Sequence, residues 1–332
     1  MHINEFIKKG LENFELGLDT EKYDNCMEYL QYNIKDEYDI PIYRGVEDLY
    51  KKVLVLSGGG IKGVAYIGVF LALDELGYLD KFETYAGTSV GSLVIAMYLT
   101  GYKPMEIYEF IMKFDLNKLK SPNEKPFLQH FLSNDKTKPE CVGLDKGLNI
   151  EYLMKRLIQG KKLNPNITLI ELYEMTKKKI IFPTVCINTM EICYLTHETY
   201  PDLPLFKAVR MSAAIPIMYT AVKYGNYHYI DGGCIDNFPI KIFDSELDKV
   251  LGVCLIEKKE IINEFNSIET LLVRIIQCIF EGMTYNSKKG YEKYTVSIDI
   301  EPTSMIDYGL SKEKKYELFL KGYNSILRYL KN

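Results

Sequence analysis

Gly87-Thr88-Ser89-Val90-Gly91 reads G-x-S-x-G between a short β-like run at 82–86 and a helical pattern from Val90 to about Thr100. A serine on such a strand-to-helix turn has its hydroxyl lifted clear of the backbone, and flanking glycines let the chain turn that sharply. A unit of the same build precedes it. Val53-Leu54-Val55-Leu56 is the unbroken apolar run of a buried parallel strand, Gly58-Gly59-Gly60-Ile61-Lys62-Gly63 follows, and a helical pattern then runs from Val64 to Leu76, with Gly77 as its C-cap. Two successive strand, glycine-turn and helix units confine the chain to the α/β class, with a mainly parallel sheet between layers of helices.

The remainder is consistent with that class. Residues 1–40 read as two acidic amphipathic helices closed by Pro41, and the helix after Ser89 is expected to stop at Gly101 and Pro104. The stretch 121–147 is rich in Pro, Asn, Lys and Asp, a length that belongs to lids or to disordered segments. Helices are expected near 149–159, 169–177, 205–211 and 312–330, and strands at 180–188, 191–196, 227–230 and 249–255. Apolar residues at 268, 271, 272, 275, 276, 279 and 280 form a helical stripe, read as a face packed on the sheet rather than a helix lying on a membrane. The expected organisation is an acidic helical extension over 1–49, a catalytic domain over 50–245, and a strand and helices over 246–332 that complete the same domain.

Charge excludes one large class of partner. The net charge is -4, and residues 1–50 hold twelve acids against five bases, which leaves +3 for the rest of the chain. No dense Lys/Arg block reverses that balance, so nucleic acid is not an expected partner. Seven widely spaced cysteines without a C-x-x-C fit a reduced compartment better than a disulfide framework or a zinc site. No apolar run approaches bilayer length, and charges scattered through residues 1–16 do not read as a signal peptide. The expectation is a cytoplasmic protein that visits membrane surfaces; its oligomeric state is open.

The first glycine cluster also satisfies G-x-G-x-x-G at 58, 60 and 63, with Glu83 about twenty residues on, as in a dinucleotide site. A nucleotide site gives no reason for a G-x-S-x-G turn after its second strand, whereas an esterase gives a reason for both. Attack on an ester carbonyl creates an oxyanion that needs preorganised N–H donors, and glycines let backbone amides converge on it at the start of a helix. The glycine cluster before the helix that starts near Ile61 therefore suits an oxyanion hole.

Ser89 needs a base. The histidines are His2, His130, His197 and His228. An α/β-hydrolase order of serine, acid, histidine is unavailable, because no histidine follows the strongest acid candidate at 231. His228 and His197 lie in strand patterns as packing or surface residues, and no pattern supports His2 or His130. The remaining candidate is Asp231 in Ile230-Asp231-Gly232-Gly233, a strand end whose glycines allow close approach to another turn. A carboxylate with an ordinary pKa of about 3.9 is a weak base, so the site must desolvate Asp231 and bring it against Ser89.

These three motifs in this order resemble the patatin-like phospholipase family, with lesser matches at Ser212-Ala213-Ala214-Ile215-Pro216 and Asn237-Phe238-Pro239. The resemblance spans about residues 50–245. It implies a three-layer α/β/α sandwich and a lipid acyl hydrolase of phospholipase A type, with Ser89 as nucleophile, Asp231 as base and Gly58 to Gly60 as oxyanion hole. Gly63, Gly87, Gly91, Gly232 and Gly233 support the turns. Lys62 stands where the family usually has arginine, keeping the charge without the planar fork. The implied substrate is a phospholipid or other lipid ester met in transient contact with a membrane surface, with no metal and no organic cofactor. The alternative is a non-catalytic lipid-binding or interaction protein on the same scaffold.

Overall fold

In the computed structural model, Val53–Leu56 (β1) is buried at every residue. Residues 50–120, 145–259, 261, 264–303 and 308–331 are described; Tyr50 apart, they belong to one of the two units into which the chain divides, Lys51–Asn332. The expectations for residues 1–49, and for a lid over nearly all of 121–147, lie outside the described residues.

β1 is central because it can be buried on both faces. It pairs in parallel with Thr84–Gly87 (β2) on one side and Val250–Glu257 (β7) on the other. Lys179–Cys186 (β3) extends the sheet beyond β2, and Thr295–Ile300 (β8) extends it beyond β7, both in parallel. The edge past β3 is antiparallel. There Glu191–Leu195 (β4) and Tyr227–Asp231 (β6) pair with β3, and Val222–Tyr224 (β5) pairs with β6. The sheet is thus mixed, parallel at its centre and antiparallel at one edge, with helices on both sides in a three-layer α/β/α arrangement.

Val64–Glu75 (α1) follows the first glycine turn and Val90–Leu99 (α2) the second. Pro104–Lys113 (α3) begins where the sequence suggested a stop, because proline at the first helical position loses no hydrogen bond and presets φ. Leu148–Gly160 (α4), Leu169–Thr176 (α5), Leu205–Ser212 (α6), Ile268–Lys288 (α7) and Lys312–Lys331 (α8) complete the described helices. α8 crosses α1 at glycines: a Cβ on Gly68 would overlap the Phe319 carbonyl oxygen, and one on Gly322 would overlap that of Ala65. The apolar stripe of α7 splits, with Ile276 and Phe280 buried and Ile268, Leu271, Ile275 and Ile279 exposed. No described helix is long and apolar enough to cross a membrane.

The registers explain how distant residues meet. Ala86 lies opposite Ile181, and three residues further along β3, Thr184 lies opposite Asp231. Three residues beyond Ala86 is Ser89. The turn after β2 and the end of β6 therefore reach the same level of the sheet.

Candidate active site

Ser89 links β2 to α2 with φ 54° and ψ -118°, a left-handed backbone that side-chain-bearing residues rarely adopt. The surroundings hold it there. Its N–H donates to Ser212 Oγ at 3.1 Å, and its carbonyl accepts from Ser92 Oγ at 2.6 Å. Gly91 sits on β1, where an added Cβ would lie 3.0 Å from Leu56 Cβ, and an added Cβ on Gly87 would lie 2.8 Å from the Gly91 carbonyl carbon. Ser89 itself is 2% exposed.

Asp231 closes β6 and is fully buried. Its N–H donates to the Ala214 carbonyl at 2.9 Å, and its Oδ1 accepts from the Gly233 N–H at 2.8 Å. Oδ2 makes no completed hydrogen bond. Burial pushes the carboxyl up to a pKa of about 7; the Ser89 hydroxyl, the Gly233 N–H and the Arg210 charge pull the other way. The hydroxyl is thus close enough to favour the ionised carboxylate, while one carboxylate oxygen remains unpaired.

The first glycine turn packs on Ser89. An added Cβ on Gly58 would stand 3.4 Å from Ser89 Cβ and overlap Asn237 Oδ1. The Gly58 N–H, however, donates to the Asn237 carbonyl at 2.9 Å and is committed there. Of the three expected oxyanion donors this leaves the amides of Gly59 and Gly60, the latter at φ 58° and in the wall of the cavity beside Ser89. Gly63 lets the start of α1 close on Val90, whose side chain any Cβ would overlap.

Lys62 is 3% exposed, with its ammonium 2.6 Å from Glu257 and 3.6 Å from Glu281. It ties the glycine turn to β7 and α7. Gly232 lies against the Pro183 carbonyl, which excludes a side chain there. Among the histidines, His197 stacks on Tyr173 with ring centroids 3.7 Å apart, and the His228 N–H donates to Asn188. His2 and His130 lie outside the described residues. No hydrogen bond joins a described histidine to Ser89 or Asp231.

Three further residues support the site without a role that the sequence assigns them. Ser212 and Asn237 lay inside the two lesser motif matches, which was the signal available. Asn237 Nδ2 donates to Thr284 Oγ1 at 2.6 Å, so it fastens the glycine turn to α7. Arg210 carries no signal, being one of two cations, with Lys207, on a short helix, yet it is 1% exposed and its charge reaches Asp231.

A cavity of about 130 Å³ opens beside Ser89. Its walls are almost wholly apolar, among them Leu93, Met97, Phe110, Leu153 and Ile215. A hydroxyl, a buried carboxyl of raised pKa and an apolar chamber form a chemically coherent set for activating a nucleophile towards a substrate with a hydrocarbon part.

The family model for patatin-like phospholipase matches residues 54–244. A probable lipid hydrolase of Invertebrate iridescent virus 6 is 34% identical over 209 residues, covering 63% of this chain and 69% of the relative. The uncharacterized protein YqhO of Bacillus subtilis is 29% identical over 297 residues, covering 83% of this chain and 97% of its own. The crystal structure of VipD from Legionella pneumophila superimposes with a TM-score of 0.59 at 17% identity, covering 85% of this chain and 67% of that one, a likeness of fold. More than half of the sequence thus matches one family model, its three glycine-bearing turns included: the chain belongs to the patatin-like phospholipase family.

Proposed function

We propose that the protein is a serine lipid acyl hydrolase of phospholipase A type, working through Ser89 and Asp231. One observation carries the reading: a serine on a strained turn faces a buried carboxyl whose pKa lies near neutrality, beside an apolar cavity. A base is most effective when its pKa lies close to the working pH, and burial of Asp231 supplies that match without a histidine.

In the first step Ser89 Oγ attacks the ester carbonyl carbon as its proton passes to Asp231. The carbonyl π electrons move onto oxygen, and the oxyanion is held by the amides of Gly59 and Gly60 at the start of α1. Collapse expels the alcohol, which takes the proton from Asp231, and leaves an acyl-enzyme on Ser89. Asp231 next accepts a proton from water, whose oxygen attacks the acyl carbon; collapse returns a proton to Ser89 and frees the fatty acid. The apolar cavity accommodates the acyl chain. Lys62 serves this scheme indirectly, by fixing the glycine turn through Glu257.

The test is product analysis. Mixed-lipid vesicles incubated with wild type are expected to yield free fatty acid and lysolipid by mass spectrometry, and Ser89→Ala is expected to yield neither above background. Turnover retained in Ser89→Ala removes Ser89 from the mechanism. A binding-only protein on this scaffold would show no turnover in wild type.

A further inference from the structure

A second cavity, of about 330 Å³, is lined by Lys146, Glu151, Lys207, Arg210, Thr220 and Lys223, with Ala221 and Val222. Four cations face one carboxylate. Arg210 is the buried member: its Nη2 donates to the carbonyls of Lys146 and Thr220, each at 2.9 Å. Its Nε and Nη1 are buried and have no hydrogen-bond partner. Buried donors left unpaired are costly, and a guanidinium is the side chain best shaped to hand them to an oxyanion. Burial is the largest influence on Arg210 and weakens its hold on its proton; Tyr219, Glu151 and Asp145 oppose that. No carboxylate, though, completes its hydrogen bonds.

Lys207 and Lys223 form no ion pair among the described residues, and the Lys207 ammonium stands 5.8 Å from the Tyr224 ring centroid. Unpaired ammonium groups around a concave polar cavity with an unsatisfied guanidinium concentrate anions. The cavity is also too polar for a hydrocarbon chain and large enough to admit a phosphoryl group. We propose that this cavity is a binding site for a phosphoryl group, supplied either as a free phosphate or as a phosphomonoester lipid headgroup. The site is separate from the apolar chamber beside Ser89, although the Arg210 guanidinium, 5.0 Å from the Tyr219 ring centroid, borders both through Tyr219. The inference stands whether or not Ser89 cleaves esters.

The test uses full-length Ser89→Ala protein, so that turnover cannot confuse binding, and the same protein carrying Lys207→Gln and Lys223→Gln. Both substitutions lie at the rim and leave Arg210 and its structural bonds intact. Inorganic phosphate is compared with chloride at equal ionic strength by thermal unfolding, and phosphatidylcholine vesicles with and without phosphatidic acid are compared by co-sedimentation. Inorganic phosphate is expected to raise Tm by about 5 °C once it exceeds its Kd a hundredfold, an increase absent from the double variant. Binding only to vesicles containing phosphatidic acid, lost in the double variant, would identify the headgroup as the source. Absence of both effects, or persistence of either in the double variant, overturns the proposal.

Discussion

Ser212 Oγ accepts the Ser89 N–H at 3.1 Å, and two residues further on the Ala214 carbonyl accepts the Asp231 N–H at 2.9 Å. One tripeptide at the end of α6 therefore holds both partners of the proposed dyad, although they are far apart in sequence. Ser212→Ala should keep the fold and loosen the turn. Losing a buried hydrogen bond of this kind corresponds to about a tenfold fall in kcat. Steady-state hydrolysis of a lysophospholipid measures it, and an unchanged kcat would detach Ser212 from the site's geometry.

The pH–rate profile follows from the environment of Asp231. In the proposed mechanism its carboxyl must be ionised to accept the Ser89 proton, and burial sets its pKa at about 7. The value of kcat/KM should fall roughly tenfold per pH unit below about 7 and level off above it. Activity persisting undiminished at pH 5 would mean that another group acts as base.

The same shift makes Asp231 a stability cost at alkaline pH. Its folded pKa, at about 7, lies above the ordinary 3.8, so the folded state binds the proton more tightly than the unfolded chain. Stability from this group is fully present below about pH 4 and is lost as pH rises through 7. Asp231→Asn should abolish turnover yet stabilise the protein by on the order of 4 kcal/mol at pH 8, with little gain at pH 4. Urea unfolding at both values tests the sign.

The contact between α1 and α8 is another sensitive point, since Gly68 and Gly322 lie against opposing backbone carbonyls. Gly322→Ala should destabilise by about 3 kcal/mol, because backbone cannot yield as a side chain would. Thermal unfolding should show a fall in Tm of several degrees, while kcat per folded molecule is retained.

Local signals made the centre of the molecule legible. β1, β2 and the glycine turns after them are buried runs punctuated by glycine, patterns that survive any tertiary context. Residues 222–224 are too short to show a period, whereas β8 alternates Thr-Val-Ser-Ile-Asp-Ile, a period-two pattern that the sequence does carry. The sequence does not announce α3, because Pro104 serves equally as stop and as start. The stripe of α7 told that a helix forms but not which part of the stripe is covered. Within the candidate site, the sequence singles out Ser89 and Asp231 from their turns, and the structure brings those two turns to the same level of the sheet. The commitment of the Gly58 amide to Asn237, and the reach of Arg210, arise from contacts across more than a hundred residues or at a helix end that local pattern does not encode.

Covalent labelling with a fluorophosphonate, read by intact and peptide mass spectrometry, tests the central claim most directly. Wild type is expected to gain a single adduct on Ser89, Asp231→Asn to label far more slowly, and Ser89→Ala not at all. An adduct on a different residue, or labelling of Asp231→Asn at the wild-type rate, would contradict the assignment of a serine activated by that carboxylate.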